Sequence, residues 1–192
     1  MTTARTWFDD LFDLSLPTDP GWQRDFPFMR DWCQVRYDTV KRVNAQTIVE
    51  IGVRTGFSAF AMLSANPEAQ YIGIDPYDIL DYSTKDVHFA QAKKALERFP
   101  NAQILLLNSQ HLTKLPIENA DLVHVDGAHG TREVFHDCEI AKFSGAKWLL
   151  IDDVAGIPIV RIGAEQFCVK HGYTPELVST DQQGAWLVKL RE

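Results

Sequence analysis

From Thr47 onward the chain alternates short apolar runs with amphipathic stretches, and few folds accept that alternation. The apolar runs are Thr47–Gly52, Gln70–Asp75, Gln103–Asn108, Asp121–Asp126 and Lys147–Asp152. Between them Gly56–Ala65, Asp86–Phe99 and Thr131–Lys142 carry helical spacing, closed by Asn66-Pro67, Pro100 and Gly145. Strands this apolar are covered on both faces, so the pattern predicts a parallel α/β sheet of the doubly wound, Rossmann-like type. After a further helix over Ile157–His171, the strands Thr174–Thr180 and Ala185–Leu190 are joined only by the polar turn Asp181–Gly184. So short a connection requires antiparallel pairing. The expected product is a seven-stranded sheet, mostly parallel, closed by one antiparallel hairpin.

The lead-in, residues 1–46, reads differently. Trp7, Phe8, Leu11 and Phe12 lie at helical spacing, the segment breaks over Pro17–Gly21, and a second stripe follows at Met29, Trp32, Cys33, Arg36, Val40 and Val43. Only Arg36 interrupts that apolar face. Two units are therefore expected: a helical extension over residues 1–46, packed on or capping a core domain over 47–192.

With 192 residues, 45% of them hydrophobic and 23% charged, the chain suits one soluble domain with an ordinary core. A net charge of −7 argues against a broad nucleic-acid surface. The first ten residues show no secretory signal, and no apolar run reaches bilayer length. Cys33, Cys138 and Cys168 are odd in number and far apart, which fits isolated thiols in a reducing cytoplasm better than a disulfide framework or a zinc site. Oligomeric state is open, a homo-oligomer included.

The first strand runs into Glu50-Ile51-Gly52-Val53-Arg54-Thr55-Gly56 and then a helix. Glycine lets the chain turn and leaves no Cβ in a ligand's way, while a helix N-terminus favours negative groups. The second strand ends at Asp75, just over twenty residues beyond Gly52, where an acid is placed to accept from ribose hydroxyls. Together they indicate an adenosine site. The dinucleotide fingerprint GxGxxG is absent. An acid at the turn would repel a pyrophosphate.

In this pattern, Glu50-x-Gly52-x-x-x-Gly56 with Asp75, the sequence resembles the class I S-adenosylmethionine-dependent methyltransferases over roughly residues 47–190. The terminal hairpin also fits that family. The resemblance implies S-adenosylmethionine as cofactor, Gly52 at its methionine end, a cofactor contact from Gly56, and Glu50 acting through the turn. It also implies cofactor contacts from Ser58 and Asp126, from Asp75 to the ribose, and from Ser109 and Gln110 to the adenine. Ser109 stands where the family often has an acid.

Strand four ends Asp126-Gly127-Ala128-His129 and strand five ends Asp152-Asp153. Neighbouring strands lie ~4.8 Å apart, so acids at these termini would repel unless they share a cation or proton. A hard divalent ion, Mg²⁺ first, is one answer; acids that merely cap the next loop are the other. The same residues resemble the small natural-product and sugar O-methyltransferases of the macrocin type, and that resemblance implies Asp126, Asp152 and Asp153 as metal ligands beside the acceptor hydroxyl. Adjacent strand residues point to opposite faces, so Asp152 and Asp153 converge only if the strand ends between them. Asp126 and His129 are the catalytic candidates, His129 as the base for a hydroxyl proton or else a helix cap. His124, inside an apolar strand, reads as core. The connection from Pro76 to His88, with Asp78, Tyr77 and Tyr82, is long enough to carry ligand contacts. The expected function is O-methylation of a small molecule. An NAD-dependent oxidoreductase and a non-catalytic adenosine-binding module remain as alternatives.

Overall fold

The computed structural model describes residues 6–14, 26–77, 85–179 and 183–191. Among the described residues, the lead-in holds α1 (Trp7–Leu14) and α2 (Phe26–Val43). The core then runs β1 (Thr47–Ile51), α3 (Phe57–Ala65), β2 (Gln70–Ile74), α4 (Lys85–Leu96), β3 (Ala102–Leu105), β4 (Leu122–Val125), α5 (Thr131–Phe143), β5 (Trp148–Ile151), α6 (Pro158–His171), β6 (Glu176–Ser179) and β7 (Ala185–Lys189). A single 3₁₀ turn, Ser109–His111, follows β3.

The seven strands lie in the order β3-β2-β1-β4-β5-β7-β6. Strands β1 to β5 are parallel, and β7 inserts antiparallel between β5 and β6. The hairpin is as expected, and its second strand is the one that joins the core. The expected turn residues 180–182 and the break over Pro17–Gly21 lie outside the described residues, as do residues 78–84 of the long connection. Strand β3 stops at Leu105, short of the expected Asn108. Its only partner, β2, ends at Ile74 in register with Leu105, and the backbone turns at once through Leu107 N–H to the Leu105 carbonyl.

Strand alternation divides the core in two. Ile48, Leu122, Leu150 and Leu187 face α1, α2, α3 and the end of α4, whereas Val49, Val123, Leu149 and Val188 face α5 and α6. Helix α3 is apolar almost all round because it lies between the sheet and α2, with eight of its residues buried. The sequence explains its ends: Gly56, at φ 79°, turns the chain into it, and Asn66 precedes the proline that stops it. The extension is thus a packed layer, with α2 along α3.

The strands run outward from β1 in both directions: β2 and β3 to one side, β4 and β5 to the other. Their C-terminal ends open a crevice at this reversal, the place where open α/β sheets bind ligands.

Candidate active site

A cavity of about 650 Å³ fills that crevice. Its walls come from the turn after β1 (Gly52, Val53, Arg54), the ends of β2 (Asp75) and β4 (Asp126 to His129), the 3₁₀ turn (Ser109, Gln110), the β5 terminus, and Met29 and Trp32 of α2. Ser58 lines it from the first turn of α3.

The glycines are explained by the protein's own packing. A Cβ on Gly52, at φ 90°, would stand 2.0 Å from the Asp126 carbonyl oxygen, and one on Gly56 would stand 3.0 Å from Cα of Ala92. Gly52 therefore lets the β1 turn lie on the β4 turn, and Gly56 lets α4 approach α3. Gly52 lines the cavity and Gly56 does not.

Asp75 organises the same turn. Its Oδ2 accepts from the N–H groups of Val53 (2.9 Å) and Arg54 (2.8 Å), and its Oδ1 accepts from Tyr77 N–H at 2.8 Å. A carboxylate offers about four lone-pair positions. Three are taken, and Asp75 lines the cavity.

Glu50 lies elsewhere than its motif position implies. It is fully buried, does not line the cavity, and faces α2 and α3 with Ile48. It accepts from the hydroxyl of Tyr71 and lies 2.8 Å from Nδ1 of His124. Gly73 makes this reach feasible, since a Cβ there would meet the Tyr71 hydroxyl at 3.0 Å. Glu50 thus pairs with Tyr71 and His124 behind the cavity wall. His124 is buried, as read from the sequence, but only half satisfied: its Nε2 has no hydrogen-bond partner among the described residues and lies 3.9 Å from Asp152.

The expected three-acid cluster is divided. Asp152 follows the parity of Leu150 and points to the buried α2 side. There Oδ2 accepts from the guanidinium of Arg36 and from Trp32 Nε1 at 2.8 Å. Asp153 takes a left-handed backbone, φ 61°, and turns to the cavity, where its Oδ2 lies 3.1 Å from His129 Nε2. Asp126 stands between. It groups with His124 and Asp152 on one side and with His129 and Asp153 on the other, each set with ligand atoms within 4.8 Å of one another. Neither set contains all three acids. Arg36 supplies a counter-ion to Asp152, which also belongs to the first of the two sets.

Sequence reading left Arg36 without a role, although a cation in an apolar stripe is a signal of a buried pair. It is closed off from solvent, lies 3.8 Å over the Trp32 ring and donates to the Trp32 carbonyl at 2.8 Å.

The cavity-facing set is electrostatically tense. Burial, and then the charge of Asp126, push the Asp153 carboxyl up to about 6. The Asp126 carboxylate, against the cost of burial and with help from Asp153, raises the His129 pKa above its ordinary value. An imidazole between two carboxylates takes up a proton readily and is stabilised once it holds one.

At the other end, Asn108 caps the 3₁₀ turn by accepting from Gln110 N–H at 3.0 Å. His136 Nε2 donates to the Ser109 carbonyl at 3.1 Å, which gives that histidine a partner not evident in the sequence.

A cleft of this kind over a reversed parallel sheet defines an α/β enzyme that holds a small ligand at its switch point. The model of a family described as a methyltransferase domain matches residues 49–153, more than half of the chain, and the protein belongs to that family: it is a methyltransferase. A search of curated protein sequences finds no match. Similar solved structures include the Podospora anserina methyltransferase PaMTH1 with bound S-adenosylhomocysteine (SAH; 13% identity, TM-score 0.70, 98% of this chain and 89% of that one). The Bacillus cereus O-methyltransferase in complex with SAH is also similar (13%, 0.62, 97% and 92%). So is the Streptomyces achromogenes O-methyltransferase TomG, involved in tomaymycin synthesis, in complex with S-adenosylmethionine (15%, 0.59, 94% and 93%). At these identities the likeness is one of fold.

Proposed function

We propose that the protein transfers a methyl group from S-adenosylmethionine to a hydroxyl oxygen of a small molecule, a sugar or another natural product. The observation that carries this reading is the placement of His129 between Asp153 (3.1 Å) and Asp126 (3.9 Å), in the cavity that also reaches Gly52 and Asp75. S-adenosylmethionine supplies an activated methyl group when bound. The chain's own residues then have three tasks. The β1 turn, Asp75, Ser58, Ser109 and Gln110 hold the adenosine and methionine parts. Met29, Trp32, Phe57 and Ile157 form an apolar wall that orients the acceptor and excludes water. The His129 imidazole accepts the hydroxyl proton, and Asp126 and Asp153, both beside its Nε2, stabilise the imidazolium that results. The bound ligands in PaMTH1, the B. cereus enzyme and TomG support the cofactor. Three buried free thiols suit work in the cytoplasm.

A second reading has its own observation. Asp126, His129 and Asp153 each offer one ligand atom within 4.8 Å of the others, a set able to hold a divalent cation beside the acceptor oxygen. With two carboxylates and an imidazole, Mg²⁺ would keep several waters.

Calorimetry with SAH, followed by a radiolabelled methyl-transfer screen over sugars and hydroxylated natural products, tests the function. No SAH binding would end it. Turnover unchanged in EDTA assigns proton removal to His129 alone; turnover lost in EDTA and restored by Mg²⁺ assigns the cation.

A further inference from the structure

Asp137, on α5, is fully buried one layer behind the Ser109–Gln110 end of the cavity. Its Oδ1 accepts from Gln110 Nε2 at 2.8 Å, the Ser109 hydroxyl steadies the charged form of the carboxyl, and Oδ2 has no hydrogen-bond partner among the described residues. A Cβ on Gly127, which lines the cavity, would stand 3.4 Å from that Oδ2. The same Gln110 nitrogen lies 3.4 Å from the Glu133 carbonyl and 3.3 Å from the Ser109 hydroxyl. A backbone carbonyl can only accept, so the atom facing it is the amide nitrogen. Gln110 itself lines the cavity, and no donor among the described residues reaches its Oε1. The nitrogen is held inward, and the oxygen is the atom left for a ligand.

We propose that Asp137 is a positioning residue that fixes the Gln110 amide with its oxygen toward the cavity, so that this end of the cofactor site selects a hydrogen-bond donor over an acceptor. The adenine amino group is such a donor; the carbonyl of a hypoxanthine base is not. The inference rests on the cofactor reading above. Burial, as the largest cause, pushes the Asp137 carboxyl up to about 7. A proton on Oδ2 leaves Oδ1 free to accept, so either state holds Gln110.

The test is calorimetry on the full chain with SAH and with its deaminated analogue, S-inosylhomocysteine. The wild type should favour the adenine compound by about ten- to hundred-fold, the range for one mismatched buried polar contact. In Asp137→Leu the amide is free to turn over, and the preference should fall below about three-fold. Asp137→Asn keeps an acceptor toward Gln110 and should retain the preference, which a merely structural role would not separate from the leucine variant. Should Asp137→Leu fail to fold, Gln110→Leu replaces it, with the same collapse expected. A wild-type preference kept in the leucine variant that folds overturns the proposal, as does equal wild-type binding of the two compounds. Failure of the wild type to bind SAH overturns the cofactor reading itself, and is thereby distinguished from failure of the Asp137 inference.

Discussion

The guanidinium of Arg36, carried on α2, lies on the carboxylate of Asp152 just past β5, and both side chains are closed off from solvent. The pair joins the helical extension to the sheet edge where the cavity opens, and the Trp32 indole contacts both partners and lines the cavity beside Asp152. Breaking such a pair from one side leaves an uncompensated buried charge. Arg36→Met should therefore lower unfolding stability by about 3–5 kcal/mol in urea. The double variant Arg36→Met, Asp152→Asn should recover part of that loss, because no lone charge remains. A loss below about 1 kcal/mol in the single variant would mean that the pair is not desolvated as its burial implies.

Asp75 carries two roles that a pair of measurements can separate. Three backbone N–H groups end on its carboxylate, so Asp75→Ala should destabilise the fold by roughly 1–3 kcal/mol. If it also contacts the ribose, SAH affinity should fall by a further ~1–3 kcal/mol, measured by calorimetry where the variant is folded. Reduced stability with unchanged affinity would leave Asp75 as a turn organiser alone.

The sheet was legible because its signal is local. The parity of Ile48 against Val49, and of Leu150 against Leu149, is written in single strands, and so is the short link that forces β6 and β7 antiparallel. Gly52 and Asp75 were legible as a turn and a strand end, although the glycine's clash partner is protein backbone. The division of Asp152 from Asp153 depended on one left-handed residue, and no spacing rule anticipates that an aspartate will adopt φ 61°. The pairings of Arg36 with Asp152 and Gln110 with Asp137 span 116 and 27 residues, and only the packed helices bring them together. Glu50 sat in a recognisable motif, but its direction follows from strand parity, which sends it to the α2 face with Ile48.

His129 should govern the rate and hardly touch cofactor affinity. His129→Ala is expected to lower kcat by about 10²–10⁴-fold, the usual contribution of a positioned base, with SAH binding within two-fold of wild type. Only the neutral imidazole accepts a proton, so activity should rise with pH through a pKa above the ordinary histidine value. Asp153 is among the charges that raise it, so Asp153→Asn should move the rising limb of the kcat/KM profile to lower pH. A limb that stays in place would show that another group is being titrated.

Asp137 predicts the pH dependence of stability. Its carboxyl titrates at about 7 in the folded protein against an ordinary value of 3.8, with burial the dominant cause. Hydrogen bonds from Ser109 and Gln110 and the nearby His136 favour the charged form, and Glu133 opposes it. Between those two values the folded state binds more protons at this site than the unfolded state, so its contribution to stability falls as pH rises. The advantage is complete below about 4 and is lost on passing through about 7. Asp137→Asn removes the titration and keeps an acceptor for Gln110. Relative to wild type, the variant should therefore gain stability steadily from pH 4 to 7 and level off above, by up to about 4 kcal/mol. Urea unfolding of both proteins at pH intervals across that range reads the difference directly, and groups they share cancel. A difference that stays flat with pH would show that Asp137 titrates at its ordinary value and keeps its charge inside the fold.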